Sequence, residues 1–529
     1  MKKTFIIGAL VLATTACTDN FINLEPVTSQ TPENFYQTEE DALLALAAAY
    51  NDLQTQNWQF PPIMGDIFSD DAYAGGASAG DMKQWQAIEL NNMDLDNEAT
   101  NALWANRYAG INKVNTFLSR IDNMEVSEGK KNQFVGEAYF LRAYFNWDLV
   151  RHYGWAILHT ELLDNVDDYA LTGLSEPQAI YNQIAADLLQ AESLMQASHP
   201  DADFGRANKF VAQALMARIY LYYSGLSQNM PEMGLNGTFG EGENVITEAH
   251  VIEGLNNIIF AGGYRLLPSY ADVFAWDNEL NDEVIFSYKY SGKTGVTDWD
   301  GWAINGNFSV IFYGPRNPEG DDAIRPGWSF GTVSWDLVDS YQTGDLRRDV
   351  VAYDAEANLT DYFRAFQNTG YFNRKYMPNA DYEAEIGDPA HNYGIDYKDI
   401  RYADVLLMAA ELGIDRDENY NRVKRRAYGY DPDFASPVDE TGVTVEDIIE
   451  ERRREFGGEG LRKWDLLRNG LAYTQQKIAN SFQLPAGIPN AADFQGREFN
   501  PNTYGLFPLP GNEIRNSNAG ITQQVPAYQ

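Results

Sequence analysis

A segment near the C-terminus, residues 451–468, alternates arginines with carboxylates around a Gly-Gly-Glu-Gly break. Just before it, Thr444 can cap a helix that carries Asp447 at its third position, a capping-box arrangement. Glycine tolerates the left-handed conformation that ends helices, so the glycines at 457–460 predict that this helix stops and that a second one follows. In a chain where acids outnumber bases 76 to 39, such a cluster of arginines predicts an internal ion-pair junction between two helices.

Composition places the chain among large globular proteins. Its 529 residues are 44% hydrophobic and 13% aromatic, which is enough to bury a sizeable core. The formal net charge of −37 is spread along the chain without a basic block. This distribution argues against nucleic acid and polyanionic ligands, and it favours a neutral partner.

The N-terminus has the pattern of a targeting segment. Two lysines precede the apolar run 5–13, and Cys17, the only cysteine of the chain, follows a few small residues. The pattern is typical of a bacterial lipoprotein signal, although Thr14 stands where Leu is usual. The alternative is an ordinary signal peptide followed by an incidental thiol. We favour removal of residues 1–16, attachment of lipid at Cys17, and a polar tether over residues 17–33.

After the tether, apolar residues recur at the spacing of α-helices. Apolar residues recur at helical spacing from Phe134 to Leu149, and paired helices are predicted at 176–196 and 205–224. In the last of these, small residues alternate with bulky ones, as is typical of helix hairpins that stack in tetratricopeptide-like arrays. From 225 to 395 the composition changes to Gly, Asn, Asp and aromatic residues, which predicts an irregular half with short strands.

Five motifs together resemble one known family. They are residues 17–21 (CTDNF), 140–154 (FLRAYFNWDLVRHYG), 400–411 (IRYADVLLMAAE), 451–468 and the ending 507–516 (FPLPGNEIRN). Their order along the chain is similar to that of the SusD/RagB family of outer-membrane nutrient-binding lipoproteins. The five motifs span nearly the whole chain.

The resemblance implies a mostly α fold and a binding function. The fold would be a tetratricopeptide-like helical-repeat scaffold over residues 34–224, followed by a C-terminal region, 225–529, with irregular loops and closing helices. Members of the family lie on the cell surface of Bacteroidota, anchored by lipid in the outer membrane. They cap a SusC-like TonB-dependent transporter and deliver oligosaccharides to it. The resemblance implies neither catalysis nor a cofactor.

The ligand site has to be argued from side-chain chemistry. Sugars present apolar C–H faces and hydroxyl rims, so a glycan site needs exposed aromatic rings beside hydrogen-bonding side chains. Two loop regions, 66–85 and 298–335, offer that mixture outside helical periods. The candidate ligand-binding residues are Asp70, Trp85, Asp298, Trp299, Trp302, Asn305, Arg316 and Trp328. The alternative for each tryptophan is a buried anchor for its loop.

Two other classes of protein compete with this interpretation. A surface glycoside hydrolase needs two carboxylates roughly 5–9.5 Å apart, but acidic pairs are too common in this chain to discriminate. A helical-repeat adaptor would dock a protein without any affinity for glycans. The five histidines have no metal-ligand spacing, so no metal site is predicted. Net charge favours a neutral glycan, although Arg316 could offset that preference locally.

Overall fold

The computed structural model describes residues 35–54, 60–163, 173–198, 205–292, 306–383, 387–482, 484–488, 490–494, 496–517 and 520–529. The helices of these ranges are α1 (Glu39–Tyr50), α2 (Pro61–Phe68), α3 (Lys83–Glu89), α4 (Glu98–Arg120), α5 (Glu128–Tyr153), α6 (Pro177–Leu194), α7 (Lys209–Asn229), α8 (Glu248–Ala261), α9 (Tyr270–Val273), α10 (Trp335–Ser340), α11 (Arg348–Val351), α12 (Ala355–Asn358), α13 (Tyr402–Glu411), α14 (Arg416–Ala427), α15 (Val445–Phe456), α16 (Arg462–Arg468), α17 (Leu471–Ser481) and α18 (Gly511–Asn516). The strands are β1 (Ala72–Gly75), β2 (Gly240–Glu241), β3 (Asn244–Val245), β4 (Val284–Tyr288), β5 (Arg316–Glu319), β6 (Phe330–Val333), β7 (Ala352–Asp354), β8 (Asp361–Phe363), β9 (Tyr371–Asn373) and β10 (Tyr397–Arg401).

Local sequence signals fix where several helices begin and end. At α15, the side chain of Thr444 accepts a hydrogen bond from the backbone N–H of Asp447, and the Asp447 carboxylate accepts one in return. This capping box confirms the prediction from the sequence. A second capping box joins Thr38 and Asp41 at the start of α1. Helix α15 ends at Phe456, directly before the glycines that predicted its end.

Consecutive long helices pack against one another in chain order, α4 on α5, α5 on α6, α6 on α7 and α7 on α8. Glycines allow the closest approaches. A Cβ atom at Gly110 of α4 would lie 2.5 Å from the Phe145 ring of α5, and one at Gly136 would lie 2.6 Å from Met195. One hydrophobic core runs from these helices into the C-terminal half. The structure confirms the prediction of a mostly α-helical fold.

Helix α8 lies in the part of the chain that was predicted to be irregular. Thr247 caps it, and its buried side chains include Val251, Leu255 and Ile258, which follow at helical spacing. The signal is short and is surrounded by glycine and asparagine, which obscures it in the sequence. Because α8 packs on α7, the helical layer continues beyond residue 224.

Short antiparallel strand pairs organise the irregular half. Within the described ranges each sheet has two strands, paired as β1–β6, β2–β3, β4–β10, β5–β8 and β7–β9. The β4–β10 pair ends at Arg401, where the chain enters α13, and the N–H of Tyr402 donates to the carbonyl of Glu283 at 2.8 Å. This pair therefore connects the strands to the helices of the C-terminal half.

Helices α15 and α16 meet in a buried network of ion pairs. Arg452 of α15 lies 2.9 Å from Asp465 of α16, which confirms the predicted junction between two helices. The network extends to Arg401, whose guanidinium lies 2.9 Å from Glu455 and 2.8 Å from Glu459. All of these side chains are buried. Removing one member of such a network leaves an uncompensated charge in the interior.

Among the helices of the described ranges, none combines the length and the apolar character of a membrane span. The predicted signal peptide and the predicted lipid attachment site, Cys17, lie outside the described residues.

Candidate functional site

Three loop segments meet on one side of the irregular half, and we call this surface the loop face. It comprises residues 76–85, 311–333 and 361–367. Backbone hydrogen bonds connect the three segments. The N–H of Gly76 donates to the carbonyl of Ser329 at 2.8 Å, and the N–H of Phe366 donates to the carbonyl of Gly76 at 3.0 Å. The face is therefore held together by main-chain contacts between distant parts of the sequence.

Trp328 lies half-buried at the loop face on a cluster of aromatic rings. Its ring centroid is 5.7 Å from that of Phe308 and 6.1 Å from that of Phe312. Phe312 is completely buried and contacts further rings below. This support holds the Trp328 indole in place while part of it remains open to solvent.

Trp85 is one of the rings below the surface. It is fully buried and lies edge-on to Phe312 and Phe330, with both centroid distances at 5.0 Å. A buried indole cannot stack on a sugar, so the prediction that Trp85 contacts ligand does not hold. Its helix, α3, is only seven residues long, too short for periodicity to reveal the burial. Trp85 supports the ring cluster under Trp328.

Asp70 is also buried. Two oxygens of its carboxylate accept hydrogen bonds from Arg462 of α16, at 2.8 and 2.9 Å. Burial raises the pKa of Asp70, but Arg453 and Arg462 more than offset that effect, and its pKa lies below the usual value. The prediction of ligand contact by Asp70 does not hold either, because this carboxylate belongs to the ion-pair network of α15 and α16.

Arg316 lies at the loop face and is partly exposed. One of its guanidinium nitrogens is 3.3 Å from the carboxylate of Asp81. Arg325, farther along the same segment, lies 2.6 Å from Glu383. Both cations therefore face a carboxylate of the protein, so their positive charges are locally compensated. Among the described residues, no group of His, Cys, Asp and Glu side chains is arranged to hold a metal ion.

Phe363 is an aromatic residue at this face that the sequence analysis missed. Its strand, β8, pairs with β5 so that Phe363 is opposite Arg316. Residues opposite each other on paired strands project to the same side. The side chain of Phe363 is 51% exposed, whereas the preceding Tyr362 is buried. The alternation of buried and exposed residues along β8 is a signal that could have identified it.

The backbone of the loop face adopts conformations that are uncommon for residues with side chains. Met82, Asn317, Ser329 and Gln367 all have positive φ angles, between 44° and 59°. Such residues are a few per cent of all non-glycine residues, and they concentrate at functional sites because the surrounding structure has to hold them in place. Their grouping here supports the loop face as the candidate site.

The other candidates, Asp298, Trp299, Trp302 and Asn305, lie outside the described residues. The described residues that flank them, Gly292 and Gly306, both approach the backbone of His391 and Asn392. A Cβ atom at Gly292 would lie 2.6 Å from the carbonyl oxygen of Asn392, and one at Gly306 would lie 2.3 Å from that of His391. His391 stacks on Phe308, the ring that also contacts Trp328.

Comparison with known proteins identifies the family. One family model, described as starch-binding associating with outer membrane, matches residues 21–221. A second, described as the SusD family, matches residues 355–528. The chain belongs to the SusD/RagB family. Among curated members of this family, SusD-like protein P25 of Formosa agariphila is 26% identical over 509 residues, covering 87% of this chain and 88% of that protein.

Solved SusD-like structures share the fold over nearly the whole chain. A laminarin binding SusD-like protein is 25% identical, with a TM-score of 0.77, and the match covers 92% of this chain and 99% of that one. Surface glycan-binding protein A from Bacteroides fluxus is 28% identical, with the same TM-score and the same coverage. The SusD-like protein of Bacteroides ovatus is a curated relative, 24% identical over 91% of this chain and 84% of its own length.

Proposed function

We propose that this protein binds a neutral oligosaccharide at the loop face, on the outer surface of the cell, for a SusC-like TonB-dependent transporter. The observation that carries the proposal is Trp328, a partly exposed indole fixed on buried aromatic rings in a SusD-like fold. Phe363 adds a second exposed ring beside Arg316. The laminarin binding SusD-like protein, 25% identical to this chain, supports a glycan as the ligand class.

The chemistry of the two rings suits a sugar. Apolar C–H faces of a pyranose pack on aromatic surfaces, and hydroxyl groups on the rim require hydrogen-bonding side chains nearby. Arg316 and Asp81 provide donors and acceptors at the same face. Because buried rings hold Trp328 in position, little side-chain freedom is lost when a ligand binds, which favours affinity.

The charges favour a neutral glycan. Arg316 and Arg325 are each paired with a carboxylate of the protein, at 3.3 and 2.6 Å. A uronate or sulfated sugar would have to displace one of these carboxylates and approach a chain with a net charge of −37. A neutral sugar has neither cost.

The remaining parts of the proposal concern residues outside the described ranges. Trp299, Trp302, Asp298 and Asn305 would add contacts to the same site, because the flanking residues Gly292 and Gly306 approach the neighbourhood of Phe308. Lipid at Cys17 would hold the protein at the outer membrane beside its transporter. We propose no catalytic step.

Isothermal titration tests the binding site directly. The protein without residues 1–17 is titrated with laminarin, xylan and mannan oligosaccharides and, separately, with uronate and sulfated oligosaccharides. We expect binding only in the neutral group. Trp328→Ala should weaken it by about 2 kcal/mol, since truncated aromatic hot spots lose that much. Trp276→Ala is the control, because Trp276 is 47% exposed outside the loop face.

Four outcomes would contradict parts of the proposal. Equal binding by Trp328→Ala and wild type would remove the loop face as the site. Binding confined to the uronate or sulfated group would overturn the preference for neutral glycans. New reducing ends after prolonged incubation would identify a hydrolase instead. For the transporter, purification of the lipidated protein from native outer membranes should recover a TonB-dependent receptor, and its absence would count against delivery.

A further inference from the structure

Gln367 lies beneath the loop face and connects its segments through hydrogen bonds of its side chain and its backbone. The side-chain oxygen accepts from the N–H of Gly75 at 2.9 Å, and the side-chain nitrogen donates to Glu89 at 3.0 Å. The carbonyl of Gln367 accepts from the hydroxyl of Thr332 at 2.9 Å. Gln367 itself is only 3% exposed. One buried residue therefore joins β1, β6 and α3 to the segment that carries Phe363.

The two partners of the Gln367 side chain suit an amide. A backbone N–H can only donate and an ionised carboxylate can only accept, so the group between Gly75 and Glu89 needs one acceptor and one donor. An amide offers both on one planar group. The φ angle of Gln367, 51°, lies in the left-handed region that residues with side chains rarely adopt. Buried hydrogen bonds to three other parts of the fold hold it in this conformation, which points to a functional constraint.

Glu89 extends the same network towards the aromatic cluster under Trp328. Its second carboxylate oxygen accepts from the N–H of Ala74 at 2.8 Å, and the guanidinium of Arg497 lies 3.4 Å from the first. This buried negative charge is therefore compensated. Glu89 is one turn beyond Trp85 on α3, and Trp85 is one of the rings below the surface. The network is thus continuous with the support of the Trp328 indole.

We infer that Gln367 is a positioning residue for the oligosaccharide. It contacts no ligand itself, but it fixes the segment of Phe363 relative to the segments that support Trp328. Both rings are then in place before a ligand binds, and pre-organised groups lose little freedom on binding. The affinity of the loop face therefore depends on Gln367. The inference rests on the proposed function, because it takes the loop face as the glycan site.

Gln367→Glu tests this role with almost no change in shape. The introduced carboxyl still accepts from Gly75, but it lies about 3 Å from the Glu89 carboxylate, where two negative charges repel strongly. At low pH one shared proton replaces the lost N–H, whereas at higher pH both carboxyls ionise and push the segments apart. The other titratable groups at this pair are Arg497, 3.4 Å from Glu89, and Tyr73, whose ring centroid is 4.2 Å from the Arg497 guanidinium carbon.

Two measurements follow the effect of Gln367→Glu. Isothermal titration with laminarin, xylan and mannan oligosaccharides gives the affinity at about pH 5 and about pH 8. We expect the variant to match wild type at the lower pH and to bind about tenfold more weakly at the higher pH. Hydrogen exchange needs no ligand. The N–H groups of Gly76 and Phe366, which donate to Ser329 and Gly76, should lose protection relative to wild type over the same interval.

A second variant introduces no charge. Thr332→Val keeps the shape of the side chain but removes the hydrogen bond to the carbonyl of Gln367. It should weaken glycan binding about twofold to fivefold at both pH values, because one of the bonds that hold Gln367 is lost.

Gln213→Glu is the matched control. Gln213 is buried on α7 and donates to Glu192 at 2.6 Å, so the same substitution places a second carboxyl beside a carboxylate, in a helix that contributes no residue to the loop face. It should lower the melting temperature, as Gln367→Glu does at the higher pH. Glycan affinity and the exchange of Gly76 and Phe366 should stay as in wild type. A purely structural role for Gln367 predicts that both variants melt earlier and bind alike.

The outcomes separate this inference from the proposed function. The inference is overturned if exchange at Gly76 and Phe366 does not respond to Gln367→Glu, if this variant binds like wild type at both pH values, or if Gln213→Glu weakens binding as much. A wild-type protein that binds none of the neutral oligosaccharides would instead refute the proposed function. The exchange result alone would then decide whether Gln367 holds the three segments together.

Discussion

Lys463 offers a sharp test of how this fold handles buried charge. Its side chain is completely buried on α16, and its Nζ has no hydrogen-bond partner among the described residues. The nitrogen instead lies 4.0 Å from the ring centroid of Phe507, 4.4 Å from that of Phe68 and 4.7 Å from that of Trp464. Burial lowers the pKa of Lys463 well below its usual value, and Arg151 lowers it further.

We expect Lys463→Met to stabilise the protein. Methionine fills a similar volume without a polar atom, so the variant avoids the desolvation of an unpaired amine, which costs about 1–3 kcal/mol. The free energy of unfolding at pH 7 should therefore rise by about 1–3 kcal/mol.

The stabilisation should depend on pH with a definite sign. Lysine in the unfolded chain has a pKa of about 10.4, whereas the pKa of Lys463 in the folded protein is lower. Between these two values the unfolded state binds a proton that the folded state does not, so wild type gains stability as pH rises through that interval. The advantage of Lys463→Met should therefore shrink between neutral pH and the pKa of the unfolded lysine.

Urea unfolding followed by tryptophan fluorescence, at several pH values from neutral upward, measures both effects. Groups distant from Lys463 titrate equally in the two proteins and cancel in the difference. Burial, with a contribution from Lys463, holds the pKa of His152 well below its usual value, so His152 does not titrate from neutral pH upward. Lys477→Met is the matched control, because Lys477 on α17 is partly exposed and pairs with Glu446 and Glu450. That change should cost about 0–1 kcal/mol. A Lys463→Met protein less stable than wild type, or equally favoured at every pH, would refute the reasoning.

Two further predictions concern stability. Glu455→Gln should lower the free energy of unfolding by about 3–5 kcal/mol, because Arg401 and Arg426 lose a buried partner at 2.9 and 2.6 Å. Urea unfolding measures this loss. A loss below about 1 kcal/mol would show that the network tolerates an unpaired charge. Gly110→Ala should lower the free energy of unfolding by about 1–3 kcal/mol, because its Cβ would lie 2.5 Å from the Phe145 ring of α5. A Cβ at Gly129 would have nothing within 4 Å, so Gly129→Ala should be neutral or slightly stabilising. Thermal melts compare the two variants. Equal effects at the two glycines would contradict the close packing of α4 on α5.

Features that depend only on neighbouring residues could be predicted from the sequence. The capping box of Thr444 and Asp447 and the glycine end of α15 depend only on neighbouring residues. The arginine and carboxylate pattern also predicted a junction between α15 and α16. It did not identify the partners, because Asp404 and Arg401 come from a different helix and strand.

The candidate site was harder to predict, because exposure is a tertiary property. Trp85 and Trp328 both occur in polar, glycine-containing parts of the sequence, yet Trp85 is fully buried and Trp328 is partly exposed. The difference comes from the pairing of β1 with β6, which covers Trp85 with Phe330. In the sequence, Asp70 has the surroundings of a ligand contact. Its carboxylate instead forms an ion pair with Arg462, and no local pattern reveals that pair.

The bond between Asp70 and Arg462 also constrains how the chain acquires its structure during synthesis. The two residues are 392 positions apart. At a synthesis rate of about 5–20 residues per second, the N-terminal part of the chain exists for roughly 20–80 s before its partner arginine has been made. During nearly all of that interval the Asp70 carboxylate lacks both of its arginine partners, Arg453 and Arg462. The N-terminal helices can form early, but their native packing against α16 has to wait for nearly the entire polypeptide.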